Sequence, residues 1–402
     1  MTMEITGRIF ALLVFAAPVL LFSLAGRRPP VARHAYLVLV GTYTNKTQSK
    51  GIYAFSYDAE TGKLTPEGVA AETPDPSFVA IQPSGQYAYA VNETGEQSTV
   101  SAFRLDGQSG KLTLLNQLPA LGQDPCYITF DRTGKFVLVA NYTSGTVAVF
   151  PILADGKLGA HTALLADAGT LGPNKERQEG PHAHWIAVSA NNRSVYVADL
   201  GLDRVLVYKF DPAQGTLTRA EANSSATGAT SAKPTDLFSV ILSPGTGPRH
   251  AAFSHDGNFM YVLGEMSSTV TVFAGDGRQT YRPQQTISTL PAGFSGRNDS
   301  AEIALHPNGK WLYASNRGSD TIAVFAVDPG KGTLRLLETV PTGGQEPRHF
   351  AIDPAGHYLL AENQHSDTIV TFRIDAQSGR LKATGDVAEV PAPVCLAFDL
   401  AQ

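Results

Sequence analysis

The stretch HAAFSHDGNFMYVLGE (residues 250–265) consists of an alternating apolar run, a turn that contains glycine, and a second alternating run that ends near a carboxylate. Alternation with a period of two, interrupted by such a turn, is typical of two antiparallel strands. The pattern therefore predicts a hairpin over residues 250–265.

Five further copies of this pattern lie on either side of the first. They are FVAIQPSGQYAYAVNE (78–93), YITFDRTGKFVLVANY (127–142), WIAVSANNRSVYVADL (185–200), EIALHPNGKWLYASNR (302–317) and HFAIDPAGHYLLAENQ (349–364). Each copy is followed by a third apolar strand, such as STVTVFAGD (268–276), and by a weaker fourth. Four short strands repeated at intervals of 47–65 residues predict the blades of a β-propeller.

The two ends of the chain supply one more blade. YLVLVGTYT (36–44) and GIYAFSYD (51–58) match second and third strands, and CLAFDL (395–400) matches a first strand. We therefore predict an all-β fold, a seven-bladed β-propeller whose ring closes when the C-terminal strand pairs into the first blade. Cys126 and Cys395 then lie in blades that are not neighbours, so we expect both thiols to be free. Two longer segments, 163–181 and 220–247, interrupt the repeat and are expected to be loops.

The N-terminus differs from the rest of the chain. IFALLVFAAPVLLFSLA (9–25) is a continuous apolar stretch, which predicts a signal peptide or a short membrane anchor. We therefore divide the chain into a leader with its linker, residues 1–35, and a propeller domain, residues 36–402. Export to the periplasm or the medium, or attachment to a membrane, is expected; a mis-assigned start codon on a cytoplasmic protein is the alternative.

Composition excludes several classes of protein. The net charge is -5 and no basic run exceeds Arg27-Arg28, so a nucleic-acid partner is not expected. The chain lacks a G-x-S-x-G elbow, an H-E-x-x-H motif, a P-loop and a dinucleotide-binding fingerprint. We predict no cofactor, and a monomer or a weak homo-oligomer.

One end of the predicted ring should be polar. In an up-and-down blade, the residues that enter the first strand and those that leave the second lie at the same end. This end, which we call the polar rim, gathers His182, His184, Arg249, His250, Glu265, Asn316, Arg317, Arg348, His349 and Asn363. The opposite end receives only turn residues. Because binding sites favour concave places with a few convergent polar groups, we predict the site at the polar rim.

Some of these residues have a structural alternative. Asn316 and Asn363 occupy the same position of the repeat, which favours a role in the turn after the second strand. His250 and His349 also occupy equivalent positions of their repeats. The repeat does not require an acid at the position of Glu265, and we expect this side chain to be exposed at the polar rim. The spacing of His182 and His184 points both rings to one side of a strand, but no third ligand is evident, so a metal is not predicted.

GPHAHWIAVSANNRSVYVADLGLDRVLVYKFD (180–211), GTGPRHAAFSHDGNFMYVLGEMSSTVTVF (245–273) and SNRGSDTIAVF (315–325) together resemble the lactonase family of seven-bladed propellers. That family includes the bacterial propeller-type 6-phosphogluconolactonase and the fungal carboxy-muconate lactonising enzyme. The resemblance covers residues 36–400. It implies a catalytic histidine at His182 or His184, a catalytic Arg249 and Glu265, a further arginine at Arg317, and no metal.

The resemblance and the polar rim together imply hydrolysis of a sugar lactone, in the manner of 6-phosphogluconolactonase, at the polar end of the channel. Glu265 or His184 would be the base, and Arg249 would meet the oxyanion. Arg317 and Arg348 would hold an anionic tail. His250, His349, Asn316 and Asn363 complete the predicted substrate-binding set. The alternatives are a non-catalytic exported propeller that binds a protein or a cell-wall component, and lactone formation from a muconate.

Overall fold

The computed structural model describes residues 35–219, 239–277 and 280–401. The predicted leader lies outside these residues, and so does most of the 220–247 segment. Within the described ranges, no helix has the length and apolar character needed to cross a membrane.

The strands follow one another in groups of four. The first blade contains β1 (Ala35–Thr42), β2 (Gly51–Asp58) and β3 (Leu64–Glu72), and the second contains β4 (Phe78–Ile81), β5 (Tyr87–Asn92), β6 (Thr99–Leu105) and β7 (Leu112–Pro119). The third contains β8 (Pro125–Phe130), β9 (Phe136–Asn141), β10 (Thr146–Pro151) and β11 (Ala163–Ala166). The fourth contains β12 (Ala183–Val188), β13 (Ser194–Asp199), β14 (Arg204–Asp211), β15 (Thr216–Arg219) and the short β16 (Ser239–Ile241).

The fifth blade contains β17 (Pro248–Phe253), β18 (Phe259–Gly264), β19 (Thr269–Gly275) and β20 (Tyr281–Ser288). The sixth contains β21 (Asp299–Leu305), β22 (Trp311–Arg317), β23 (Thr321–Val327) and β24 (Leu334–Pro341). The seventh contains β25 (Pro347–Ile352), β26 (Tyr358–Asn363), β27 (Thr368–Ile374) and β28 (Leu381–Glu389), and β29 (Pro393–Phe398) ends the chain. Two short 3₁₀ turns lie at Gly95–Gln97 and Gln364–Ser366.

The last strand closes the ring. β29 pairs antiparallel with β1, with Phe398 opposite Val38 and Cys395 opposite Gly41, so the first sheet has the order β29-β1-β2-β3. Over the described residues this gives seven sheets, which confirms the predicted blade count and the C-terminal closure. Cys126 and Cys395 are buried and free, as predicted.

The hydrophobic core is divided among the blade interfaces. Successive residues of a strand point to opposite faces of its sheet. Since consecutive residues of the blade strands are apolar, both faces of every blade are apolar and must be covered by a neighbouring blade. Each neighbouring pair of blades encloses a hydrophobic cluster. Between the seventh and first blades, for example, Leu360 packs with Val38 and Leu396. Stacking of this kind fixes each innermost strand around the central channel.

Tyrosine hydroxyls add polar ties between blades. Tyr358 donates to the backbone oxygen of Glu60 in the first blade at 2.6 Å, and Tyr313 donates to Gly379 in the seventh at 2.8 Å. The turn that receives Tyr358 needs a glycine, because Gly62 has a φ of +80° and a Cβ there would lie 2.6 Å from the tyrosine ring. The ring is therefore held together by directional contacts as well as by apolar packing.

The pairing of the first two strands of each blade places the polar rim where the sequence predicted it. Pro248, at the start of β17, lies opposite Gly264 at the end of β18, and Pro347 lies opposite Asn363. Asp299 lies opposite Arg317 in the sixth blade. Residues that enter a first strand thus lie beside those that leave the second.

Candidate active site

β-Bulges at the start of the innermost strands bring additional side chains into the channel. The pairing of β12 with β13 shifts between Ala183 and Trp185, so that His184 has no partner across the ladder. Equivalent shifts leave Cys126, Arg249 and Arg348 as the extra residues of their strands. A bulge redirects the side chain of its extra residue, and bulges are frequent beside functional sites. All four of these residues line cavities in the channel.

The largest of these channel cavities, which we call the inner cavity, opens at the polar rim and has a volume of about 190 Å³. Its walls are formed by Glu93, Cys126, Tyr142, Arg177, His184, Glu265, Arg317 and Arg348. Four of the predicted site residues therefore come together there: His184, Glu265, Arg317 and Arg348. Three guanidinium groups face two carboxylates in this space.

Glu265 lies at the centre of an arginine cluster and is buried, with 4% of its surface exposed, so the expectation of an exposed carboxylate was wrong. Its Oε2 atom is 3.0 Å from Nε of Arg249 and 3.0 Å from Nη2 of Arg317, and Oε1 accepts a short hydrogen bond from Arg177. Burial by itself would raise the pKa of Glu265, but the three arginines lower it to about 2. The carboxylate is therefore ionised at neutral pH and serves as counter-ion to all three.

Arg249 lies behind Glu265 rather than in the wall of the inner cavity. It is 3% exposed, and its Nη1 atom donates to the backbone oxygen of Ala301 and lies 3.3 Å from Nε2 of His250. Burial, with the nearby charges of Arg317 and Arg348, lowers the pKa of Arg249 to about 10. The guanidinium of Arg249 is charged at neutral pH and contacts Glu265 from the side away from the inner cavity.

His250 and His349 form a second layer, deeper in the channel. Nδ1 of His250 is 2.9 Å from Glu302, whose carboxylate also lies 3.4 Å from Nε2 of His349. Nδ1 of His349 is in turn 3.1 Å from Glu362. Burial would raise the pKa of Glu302, but the two histidines lower it to about 2. Both predicted substrate-binding histidines are thus engaged with buried carboxylates and do not line the inner cavity.

The two histidines of the H-x-H motif have different environments. The ring of His182 stacks on Tyr142 with centroids 4.6 Å apart, and its Nε2 atom lies 3.2 Å from Glu179. His184 lines the inner cavity, and its buried Nδ1 atom has no hydrogen-bond partner among the described residues. Burial, and then the charge of Arg249, keeps the pKa of His184 well below its usual value. His184 is therefore neutral at neutral pH.

Arg348 lines the inner cavity and contacts Tyr43 of the first blade. Nη2 of Arg348 donates to the Tyr43 hydroxyl at 2.9 Å, and that hydroxyl donates to Glu93 at 2.8 Å. Burial raises the pKa of Glu93, and the charge of Arg348 opposes the shift. Over the described ranges no ion pair involves Arg348, unlike Arg177, Arg249 and Arg317. Its guanidinium is therefore held by the Tyr43 hydroxyl and by no directly paired carboxylate among the described residues.

Asn316 and Asn363 do not reach the inner cavity. Both are fully buried, and their side-chain amides donate to backbone oxygens of the loops that lead into the first strands of their blades, at Thr289 (2.8 Å) and Thr342 (3.5 Å). The same amide ties recur at Asn92 and Asn141. The contacts give these amides a structural role, but in the loop before the first strand rather than in the turn after the second.

Sequence reasoning left four residues of the inner cavity out of the predicted site, namely Glu93, Cys126, Tyr142 and Arg177. Glu93 and Tyr142 occupy the position after the second strand that Glu265 holds in its own blade, but neither was chosen. Arg177 lies in the 163–181 loop and bonds Glu265 from outside the repeat. The one sequence feature that pointed to Arg177 was the length of this loop, which lies directly before His182 and His184.

Comparison with known proteins gives matches along the whole propeller. Residues 37–398 match the family model described as "Lactonase, 7-bladed beta-propeller". The chain is 36% identical over 368 residues to the 6-phosphogluconolactonase of Bacillus subtilis, which covers 90% of this chain and 98% of the relative. It is 33% identical over 320 residues to the 6-phosphogluconolactonase of Formosa agariphila, which covers 78% and 85%. The crystal structure of the periplasmic gluconolactonase of Pseudomonas aeruginosa has a TM-score of 0.82 at 34% identity and covers 92% of this chain and 100% of its own.

Proposed function

The chain belongs to the lactonase family of seven-bladed β-propellers, as its motifs predicted, and we propose that it hydrolyses a sugar lactone in the inner cavity. Relatives named 6-phosphogluconolactonase and gluconolactonase support a cyclic sugar ester as the substrate class. These names do not favour a non-catalytic binding propeller or a muconate-lactonising enzyme.

The observation that carries the proposal is a buried polar atom without a hydrogen-bond partner among the described residues, Nδ1 of His184, which lines the inner cavity. Arg317 lines the same cavity, and its Nη2 atom is ion-paired with Glu265 at 3.0 Å. An unpaired buried polar atom costs about 1–3 kcal/mol, so a ligand that pairs with Nδ1 of His184 is favoured here. A neutral proton acceptor and a cationic donor are also what ester hydrolysis requires.

The proposed reaction uses these two groups in turn. A water molecule attacks the carbonyl carbon of the lactone and gives a proton to Nδ1 of His184, while the carbonyl oxygen becomes an oxyanion next to Arg317. The negative charge raises the basicity of the imidazole as the proton arrives. The bond between the carbonyl carbon and the ring oxygen then breaks, and the ring oxygen takes the proton from His184. The product is an open-chain hydroxy acid, which ionises at neutral pH.

Glu265 acts in this proposal as the group that orients the arginines. Both oxygens of the Glu265 carboxylate are engaged by arginines, whereas Nδ1 of His184 has no partner among the described residues. Arg249 supports Glu265 from behind, because its own donors are directed to Glu265, Ala301 and His250. The base is therefore assigned to His184, one of the two candidates that the sequence left open.

The excess of guanidinium groups in the inner cavity favours a substrate with an anionic group. We propose that 6-phosphogluconolactone binds more tightly than unphosphorylated gluconolactone, with Arg348 as a ligand of the phosphate. Arg348 suits this role because it lines the cavity and forms no ion pair among the described residues.

Hydrolysis can be measured with the full-length protein in a pH-stat, since each ring opening releases a proton at neutral pH. We expect KM for 6-phosphogluconolactone to be at least about tenfold lower than for gluconolactone, which is the contribution of one or two charge-assisted hydrogen bonds. An Arg348→Ala variant should lose this difference. The control is Lys310→Ala, an exposed residue at the opposite end of the ring. A wild-type protein that accelerates no sugar lactone contradicts the proposal.

We also propose that the chain acts outside the cytoplasm. The apolar leader at residues 9–25 supports export, and one relative is named a periplasmic gluconolactonase. Fractionation of native cells should find the protein in the periplasm, the medium or the membrane fraction. Recovery from the cytosol alone would contradict export and would strengthen the case for a phosphorylated substrate, which occurs in the cytosol.

A further inference from the structure

A second cavity, which we call the turn cavity, lies between the fourth and fifth blades and has a volume of about 400 Å³. It is lined by the turn that joins β12 to β13 and by the turn that joins β17 to β18. These turns lie at the end of the ring opposite the polar rim, because they join the other ends of the strand pairs that form the rim. Among the described residues, none lines both the turn cavity and the inner cavity.

The turn cavity lies where two neighbouring turns do not meet. At three other blade interfaces, a side chain at one end of the turn bonds the turn of the adjacent blade. The bonded pairs are Gln82 with Gly134 at 2.8 Å, Asp131 with Asn192 at 2.9 Å, and His306 with Gly356 at 2.8 Å.

The fourth blade has the shorter Ser189 at this position of the repeat. The Ser189 hydroxyl donates to Asn191 of its own turn at 2.7 Å and does not cross to the fifth blade. In the facing turn, a Cβ added at Gly257 would meet no described atom within 4 Å. The exchange of a long side chain for a serine therefore leaves a space that the three other interfaces fill.

Three aromatic residues, Tyr196, Phe253 and Tyr281, line the turn cavity. Their rings pack together, with centroids 5.0 Å apart for Tyr196 and Phe253 and 6.0 Å apart for Phe253 and Tyr281. Tyr281 also departs from the repeat, because the other six blades have a buried leucine after the hairpin that follows the third strand. These leucines are Leu64, Leu112, Leu158, Leu217, Leu334 and Leu381. Aromatic rings pack favourably with one another in offset or edge-to-face contacts, so this wall suits a planar aromatic ligand.

The charge of the turn cavity comes from Arg132 of the third blade, and no acidic residue is among the described residues that line it. Arg132 donates to the backbone oxygens of Val188 at 2.7 Å and Ser189 at 3.2 Å, and it forms no ion pair among the described residues. The nearby Asp256 does not line the cavity and accepts a hydrogen bond from Ser254 at 2.6 Å. The guanidinium is thus held in place without a counter-charge, which favours an anionic ligand.

We propose that the turn cavity binds a small aromatic acid, whose ring packs against Tyr196, Phe253 and Tyr281 and whose anionic group bonds Arg132. The volume of about 400 Å³ is within the roughly 300–1,000 Å³ of most small-molecule pockets. An apolar wall with one fixed polar group is also the usual composition of such a pocket. This site is separate from the proposed lactone hydrolysis and does not depend on it.

The test measures binding of 2-naphthoate to the full-length protein by isothermal titration calorimetry. We expect a Kd of about 1 mM or lower, and a Kd at least about tenfold higher for the neutral 2-naphthamide, which lacks the charge-assisted hydrogen bond. Arg132→Gln should weaken the binding of 2-naphthoate by a similar factor and leave the binding of the amide unchanged. The control is Lys310→Gln, which removes a charge from an exposed position at the same end of the ring and should change neither Kd.

A second variant tests the space itself. Ser189→Gln introduces the residue that the second blade has at this position, so it should close the turn cavity and weaken both naphthalene ligands by about tenfold or more. Thermal unfolding verifies that this variant is folded, and its lactone hydrolysis should equal that of the wild type because the inner cavity is unchanged.

Three results would overturn the proposal. Failure of 2-naphthoate to bind the wild type at about 10 mM would show that the turn cavity takes no aromatic acid of this size. Unchanged affinity in a folded Ser189→Gln variant would place the ligand elsewhere, for example among the arginines of the inner cavity. Equal affinity for octanoate, an anion without a ring, would exclude recognition by the aromatic wall. Loss of lactone hydrolysis in the wild type would bear on the proposed function alone.

Discussion

A His184→Gln variant should turn over its best sugar lactone about 10²–10⁴-fold more slowly than the wild type, which is the usual contribution of a positioned proton acceptor. Glutamine is similar in size but takes no proton at neutral pH. The imidazole is 5% exposed and its Nδ1 atom has no partner among the described residues, so the change removes no hydrogen bond at that atom. We expect the loss in kcat with KM nearly unchanged, as measured by steady-state kinetics.

His182→Gln is the matched control, because it makes the same change two residues away. His182 stacks on Tyr142 and does not line the inner cavity, so its loss should stay within about tenfold. Thermal unfolding of both variants verifies that they are folded. A folded His184→Gln protein with wild-type turnover would contradict the assignment of the base, and a larger loss in His182→Gln would transfer it to that residue.

The fold could be predicted from sequence because each blade repeats the same local rules. Alternation with a period of two gave the strands, and glycine turns gave the boundaries between them. The C-terminal strand was recognisable because Phe398-Asp399 matches Phe130-Asp131 of the third blade, and β29 does pair with β1. Local pattern and global fold agree along this part of the chain.

The layering of the site could not be predicted in the same way. Strict alternation places Arg249 and His250 on opposite faces of their strand, but the bulge between Pro248 and His250 lets both line the channel. A bulge of one residue leaves no mark in the hydrophobic pattern. The sequence therefore placed both residues at the rim, whereas in the structure Arg249 contacts Glu265 from behind and His250 faces Glu302.

Contacts from outside the repeat were also hidden. Arg177 comes from an irregular loop, and its bond to Glu265 joins residues 88 positions apart. Without it, the sequence predicts Glu265 as an exposed carboxylate on an open rim, where a substitution changes stability by about 0.5 kcal/mol or less. Burial among three arginines changes that expectation.

A Glu265→Gln variant should be less stable than the wild type by about 3–5 kcal/mol at neutral pH, because removing one member of a buried ionic cluster leaves the others without a counter-charge. Arg249 and Arg317, which are 3% and 9% exposed, would both lose the Glu265 carboxylate, and Arg317 would keep only Glu346 at 3.7 Å. With an unfolding entropy of about 2.1 cal/mol/K per residue, the melting temperature should fall by roughly 5 °C. The control is Glu72→Gln, since the Lys50–Glu72 pair is 65% and 72% exposed and such pairs contribute about 0–1 kcal/mol.

The difference between wild type and Glu265→Gln should also shrink in acid. In the folded wild type the pKa of Glu265 is about 2, below the usual 4.5, so at pH values between these the unfolded chain binds a proton that the folded chain does not. The stability that Glu265 contributes is therefore complete above about pH 4.5 and is lost as the pH falls towards 2, whereas the glutamine variant has none to lose. Melting temperatures of both proteins at about pH 7 and pH 3 measure the change. A difference that stays constant with pH would mean that the arginines do not hold the carboxylate in its ionised form, and the role of Glu265 as their counter-ion would fail.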